Sequence, residues 1–330
     1  MDEFSLIEQI KPKAYRQNKL IKGIGDDAAV IRMGNNDTVV AVDTFIEGVH
    51  FTKETLSPWQ IGYRLLAVNL SDLAAMGAKP HFYLVSIVIP NEVSDHDVME
   101  IFSGMDQLAK QYDIDLIGGD TVSGDKLTLT VTIIGSVPKD KARLRSDARS
   151  GDVVFVTGTL GDSAAGLDLL LKNVSVDIDK QIKNELILKH QLPNPRVQFA
   201  LAIRELERVA LNDISDGLAN ELHEIAESSE VTIEIDDEKI PLSEGLRMFP
   251  AERVEFYKYF GGEDFELVGT VSEKEFPLLK EIAENSSLTI TEIGSVSYNK
   301  ERNENVWIRK NGTVQPLQKK GYVHRSRETE

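Results

Sequence analysis

An α+β fold in two domains is what the sequence predicts, on three observations. The chain has 330 residues, more than one ordinary hydrophobic core organises and enough for two. Its apolar residues, 41% of the total, are spread along the whole length, alternating with period two in some runs and recurring at helical spacing in others. A polar, basic stretch with Lys139, Lys141, Arg143, Arg145 and Arg149 then separates two halves, each holding both kinds of run. The boundary is placed there, giving domains at residues 1–147 and 148–330.

Taken in order, Thr38 to Asp43 reads as a buried strand and Leu127 to Ile133 alternates as a half-buried one does. Between them Ser57 and Pro58 supply an N-cap and a first-turn proline. Trp59, Gly62, Leu65, Leu66, Asn69, Leu70, Leu73 and Met76 then continue at helical spacing to Gly77, predicting a helix buried almost all round. In the second half Val153 to Thr157 is a strand, followed by a glycine loop and helix from Gly158 to Leu171. A second strand-to-helix passage runs from Leu211 to Ala226, a further strand from Val231 to Ile235, and the end, Arg325 to Glu330, is a charged tail.

Composition removes several function classes. The sequence has no cysteine, so disulfides, thiolate metal sites and cysteine nucleophiles are out, which fits a reducing compartment. The first residues, Met1 to Ser5, are acidic where a secretory signal is basic, and the longest strongly apolar run, Phe82 to Pro90, is far shorter than a membrane span. A cytoplasmic protein with no membrane partner is expected. A net charge of −17 argues against a nucleic acid partner, which needs a basic face. Small anions stay open if metal ions intervene. Most of the excess acid is solvated surface, so only carboxylates in unusual settings are informative.

Several are unusual. Asp26 and Asp27 sit behind two glycines and before an apolar run, where adjacent like charges repel unless a hard divalent cation intervenes; the plain alternative is a turn facing water. Asp43 closes an apolar strand. Asp72 lies near the end of the buried helix, one turn after Asn69, where the macrodipole disfavours an anion and a cation is the economical explanation. Leu116 to Thr121 runs strand, glycines, carboxylate at Asp120, and Asp213 and Asp216 close a strand and open a helix, although for Asp216 taken alone a simple N-cap is the favoured explanation. Five strand or helix ends thus present an Asp, and that recurrence favours magnesium bridging to phosphate oxygens.

Other features are less specific. Thr157 to Gly166 could cradle phosphate on backbone N–H groups, or its glycines could serve tight packing. Neither a P-loop nor the protein-kinase motif set is present. Arg143 and Arg145 could pair with phosphate or be a solvated linker. Glu263, after a glycine pair, could meet a cationic ligand group or sit in a surface turn. His50, just beyond the Asp43 strand, could bond a phosphate, against the commoner structural role of a lone histidine.

Together, Gly-Ile-Gly-Asp-Asp at 23–27, Asp-Thr at 43–44, Asn-Leu-Ser-Asp-Leu-Ala-Ala-Met-Gly at 69–77, Gly-Gly-Asp-Thr at 118–121, Asp-Ile-Ser-Asp-Gly-Leu at 213–218 and Gly-Gly-Glu-Asp-Phe-Glu-Leu at 261–267 resemble the thiamine-monophosphate kinase family. The order of motifs matches over nearly the whole chain. That family belongs to the aminoimidazole ribonucleotide synthetase superfamily. The resemblance implies a homodimer in which N-terminal sheet domains meet, each followed by a C-terminal α/β domain. It further implies Asp27, Asp43, Asp72, Asp120, Asp213 and Asp216 as ligands of several magnesium ions, and Tyr112, Gly119, Asp120, Arg145 and Ser215 as ATP contacts. His50, Glu263 and Tyr322 fall at positions that contact thiamine monophosphate, the aromatic ring suiting a flat cation. Two departures stand out: Ala41 and Val42 precede Asp43 where family members often have hydroxyl residues, and Gly321 to His324 lacks the Asp that often follows the aromatic.

The reaction implied is ATP-dependent phosphorylation of thiamine monophosphate to thiamine diphosphate by direct in-line transfer, with no general base. The alternatives are a sibling ATP-dependent enzyme of the same superfamily and a noncatalytic nucleotide-binding regulator that keeps the fold. Asp72→Asn or Asp213→Asn should lower turnover much more than stability.

Overall fold

A computed structural model describes residues 18–299 and 303–321. Tyr322 and the charged tail lie outside the described residues. In the first half β1 (Leu20–Lys22), β2 (Ala29–Met33), β3 (Asn36–Ile46), β4 (Lys79–Ile89), β5 (Asp115–Ser123) and β6 (Thr128–Pro138) form one sheet in the order β1-β2-β3-β6-β4-β5. Only β5 joins its neighbour β4 in parallel. Period two in β3 turns Asp37, Val39, Ala41 and Phe45 into the core and leaves Val42 outward. Asp43 belongs to the inward row, so strand alternation itself delivers a carboxylate to the interior. It does not close the strand as expected, because pairing with β6 continues unbroken to Ile46.

Helix α1 (Pro58–Ala75) starts where the sequence predicts. Ser57 and Gln60 exchange the two bonds of a capping box, and almost every residue from Ile61 to Ala75 is buried. Helix α2 (Asp95–Tyr112) crosses it at backbone distance: a Cβ on Gly62 would come 1.8 Å from the Ile101 carbonyl oxygen, and one on Gly104 1.9 Å from that of Trp59. Gly62→Ala must push the helices apart and is expected to cost about 2 kcal/mol, in the range of core overpacking. Urea denaturation should show a lower midpoint at unchanged slope; an unshifted midpoint would contradict the close approach.

In the second half β7 (Asp152–Thr157), β8 (Val209–Asp213), β9 (Thr232–Asp236), β10 (Leu267–Ser272), β11 (Ile290–Ser297), β12 (Val306–Lys310) and β13 (Thr313–Pro316) form a second sheet in the order β13-β12-β9-β11-β7-β10-β8. It is antiparallel except where β12 meets β9. Its helices are α3 (Asp162–Leu170), α4 (Lys180–Gln191), α5 (Val197–Ala202), α6 (Leu218–Ser229), α7 (Ala251–Phe260) and α8 (Phe276–Asn285). Phe155, Leu211 and Leu267 on one face join the core built on α1, whereas Val154, Val156 and Ala210 on the other pack against α6. Helix α1 therefore touches β3 and β6 of the first sheet and β8 of the second. Among the described residues no helix is long and apolar enough to cross a membrane.

One segment departs from expectation. Leu116 to Thr121 is not strand followed by glycine loop but the middle of β5, an exposed edge strand that runs straight through both glycines. A Cβ on Gly119 would come 1.8 Å from the Val85 carbonyl oxygen, so this glycine lets β5 approach β4.

Candidate active site

Four carboxylates from four separate elements converge where α1 meets both sheets. Asp27 comes from the turn before β2, Asp43 from the inward row of β3, Asp72 from the last turn of α1 and Asp213 from the end of β8. Asp27, Asp72 and Asp213 each offer an oxygen within 4.8 Å of the others, and the Asp43 carboxyl lies beside that of Asp72. Ser71 Oγ donates to Asp213 Oδ2 at 2.7 Å, and Arg145 Nη2 donates to Asp27 Oδ1 at 2.8 Å.

Burial, before any other cause, pushes all four carboxyls above the ordinary range. At Asp72 the neighbouring Asp43, Asp213 and Asp27 raise it further, well above the usual value. Asp213 is pushed up to about 8 by burial and then by Asp27, against the pull of Ser71 and Arg145. Asp27 Oδ2, Asp43 Oδ2 and Asn69 Oδ1 are buried without a hydrogen-bond partner. Orphaned anionic oxygens crowded at this distance fit a hard divalent cation with oxygen preference, such as magnesium.

The β8 to α6 loop carries Asp213, Ser215 and Asp216. Helix α6 starts only at Leu218, with Gly217 at its cap at φ +104° and no side-chain capping bond, so Asp216 is not the N-cap. Its backbone N–H instead donates to Glu221 Oε1 at 3.1 Å. Arg145 faces the acids, also bonding Asn212 and Glu224. Arg143 does the opposite: it is buried, and its guanidinium donates to the carbonyls of Ile203 and Leu206, a structural strut between the halves.

Not every expected residue is brought to this cluster. Asp120 and Gly119 lie on the exposed edge strand β5, so Asp120 is a mid-strand residue, not the strand-end carboxylate expected. Tyr112 occupies a core position, 7% exposed, and its hydroxyl donates to the Pro195 carbonyl at 3.0 Å. The glycine loop before α3 is no free phosphate cradle either. Asp264 already sits on that helix N-terminus, accepting from the backbone N–H of Gly161 at 2.6 Å and of Ser163 at 3.2 Å.

Glu263 is met by a cation from within the chain. Arg64, wholly buried on α1, lies 2.8 Å from its carboxylate, and His190 Nδ1 lies 3.6 Å from it. Burial alone would raise the Glu263 carboxyl, but the Arg64 guanidinium outweighs it and holds the carboxyl below the ordinary range. His50 lies in the neighbourhood of this pair. Its Nδ1 accepts from the Ile46 N–H at 3.1 Å and its ring stacks on Phe45, leaving Nε2 to carry the proton of the neutral ring. Sequence reasoning missed Arg64, His190 and Glu221. For Arg64 a signal existed: a charged residue inside a helix predicted to be buried all round.

Residues 25–137 match the model of the AIR synthase related protein N-terminal domain, and residues 149–303 that of the AIR synthase related protein C-terminal domain. The chain is 45% identical to a thiamine-monophosphate kinase of Bacillus subtilis (strain 168), over 98% of this chain and 99% of that protein. Among solved structures, a thiamine-monophosphate kinase from Stenotrophomonas maltophilia K279a is similar at a TM-score of 0.77 and 36% identity, covering 93% of this chain and 96% of that one. AaThiL complexed with AMPPCP and TMP is similar at a TM-score of 0.83 and 33% identity, covering 98% of this chain and 97% of that one.

Proposed function

Because the chain belongs to the thiamine-monophosphate kinases, we propose that it phosphorylates thiamine monophosphate to thiamine diphosphate with ATP, at the four-carboxylate cluster between its two sheets. The observation that carries this is the convergence of Asp27, Asp43, Asp72 and Asp213 with two orphaned carboxylate oxygens, a charge arrangement that metal-bridged phosphates would relieve. Those four would hold magnesium, and Asp216 and Asp120, outside the cluster, are assigned to further ions. When bound, magnesium neutralises the charge on both phosphates and the charge that develops during transfer.

The chain's own residues supply position. Arg145 is placed to pair with phosphate from the same spot where it now holds Asp27, and Ser215 and the backbone at Gly119 are assigned to the nucleotide. His50 and Glu263 lie on the substrate side, the neutral imidazole donating from Nε2 to phosphate and the carboxylate facing the cationic ring. Tyr322 is assigned there too. A phosphate monoester has its second pKa near 6, so the attacking oxygen is already ionised at neutral pH and needs no general base. Holding it in line is what remains, and that is a matter of positioning and electrostatics.

Purified protein with magnesium and ATP should release ADP only when thiamine monophosphate is added, with thiamine diphosphate appearing in equal amount by chromatography. ATP binding with no ADP release would instead favour the regulator. The reading includes a homodimer, supported by the outward, apolar Val42 and Phe82 on the first sheet; sedimentation showing only monomer would remove that part. The division at residues 147 and 148, between the two sheets, and a cytoplasmic setting, which the cysteine-free composition suits, complete it. Separate expression of the halves and cell fractionation test these two.

A further inference from the structure

Glu221 has no part in the chemistry above, yet it lies beneath both sides of the phosphate site. It sits in the first turn of α6, 2% exposed. Its carboxylate accepts from the Asp216 backbone N–H at 3.1 Å, from Asn212 Nδ2 at 2.6 Å and from Asn220 Nδ2 at 3.3 Å. Asn212 is itself buried beside Asp213, and its Oδ1 accepts from Arg145 Nε at 3.2 Å. Arg145 in turn reaches Asp27 at 2.8 Å. One path therefore runs from Glu221 through Asn212 to Arg145 and Asp27, and a second from Glu221 to the backbone of the loop carrying Ser215 and Asp216.

The direction of every bond along these paths is fixed. Arg145 Nε can only donate, so Asn212 must turn its oxygen to the guanidinium and its NH₂ to Glu221. The Asp216 N–H can only donate as well. Glu221 thus faces a donor on each oxygen, a demand that a carboxylate meets and an amide of the same shape does not. With glutamine in its place, either the Asp216 N–H loses its acceptor or Asn212 must flip and turn its NH₂ against Arg145.

We infer that Glu221 is a positioning residue for ATP, acting through Asn212 on Arg145 and through the Asp216 N–H on the 213–217 loop. The inference rests on the assignment of Arg145, Ser215 and Asp216 to the nucleotide site. Glu221→Gln should raise both the KM for ATP and its Kd, read by calorimetry with magnesium, about tenfold or more, as loss of a charge-assisted hydrogen bond implies. The KM for thiamine monophosphate should hardly move. Asn212→Asp sets a second carboxylate against Glu221 and should weaken ATP binding at least as much.

The two changes combined exchange carboxylate and amide and restore the pattern of donors. The glutamine's oxygen then accepts from the Asp216 N–H, its NH₂ donates to the new carboxylate at position 212, and that carboxylate accepts from Arg145. The double variant should return to within about threefold of the wild-type ATP affinity, the non-additivity expected of residues in contact. A merely structural role predicts lowered melting temperatures with ATP affinity unchanged. Wild-type affinity in Glu221→Gln, or a double variant no better than the weaker single, overturns the inference. If a single variant does not fold, recovery or failure of the double decides alone. A wild-type protein that does not bind ATP overturns the site assignment and the inference together, so the two failures are told apart.

Discussion

Asp72→Asn and Asp213→Asn are each expected to lower kcat on the order of a thousandfold, the scale at which a group aligned with developing charge contributes, without unfolding the protein. The structure gives the stability half of that expectation a definite sign. Asp72 shares its site with Asp43, Asp213 and Asp27, and burial together with those neighbours forces its carboxyl well above the ordinary range. Replacing it with a neutral amide removes that cost from the metal-free protein. With chelator present, Asp72→Asn should therefore melt at or above the wild-type temperature, while added magnesium should stabilise the wild type more than the variant, because only an ion that binds the folded form raises its stability. ADP release and thermal melting with and without magnesium check both parts. Wild-type kcat in either variant would remove the metal assignments.

Arg64→Met is expected to have the largest effect on stability, about 3 kcal/mol at neutral pH. Breaking a buried pair from one side leaves an uncompensated charge costing ~3–5 kcal/mol, and the low end applies because the Glu263 side chain keeps 33% of its surface exposed. His190 gives little relief. Burial, the larger cause, and then Arg64 push its imidazole down to about 3, and the burial remains when Arg64 is replaced. Since the Glu263 carboxyl is held below its unfolded value, its stabilisation is present above the unfolded pKa of about 4.3 and is lost as pH falls through the lower folded value. Arg64→Met should thus be less acid-sensitive than the wild type, and adding Glu263→Gln should recover part of the loss. Urea denaturation at neutral pH and near the unfolded pKa measures this. Equal stability at neutral pH would show that the pair contributes nothing.

The sequence carried much of the site because the placement rules are local. Alternation in β3 and helical spacing in α1 are enough to aim Asp43 and Asp72 inward, and the capping box at Ser57 fixes where the helix begins. What stayed hidden depends on partners far along the chain. Glycines at 118 and 119 look the same whether they open a loop or let an edge strand approach Val85. The helix N-terminus at Gly161 looks like an anion site until Asp264, about a hundred residues later, is seen on it. The bond from the Tyr112 hydroxyl to the Pro195 carbonyl likewise joins residues far apart in the chain. Glu221 belongs to no motif and gave no signal; the charge of Arg64 inside a buried helix did, but its partner Glu263 lies far along the chain.

The acidic cluster also straddles a seam. Asp27, Asp43 and Asp72 belong to the first half and Asp213 to the second, and the only covalent bridge between the sheets is the stretch at residues 139–151. Burying these carboxyls at a seam costs free energy that a cation would offset, so the joint is expected to loosen when none holds it shut. A protease added to metal-free protein would find its opening at this bridge, and magnesium would slow the cut. An ion held at this cluster would then also set how long each polypeptide lasts.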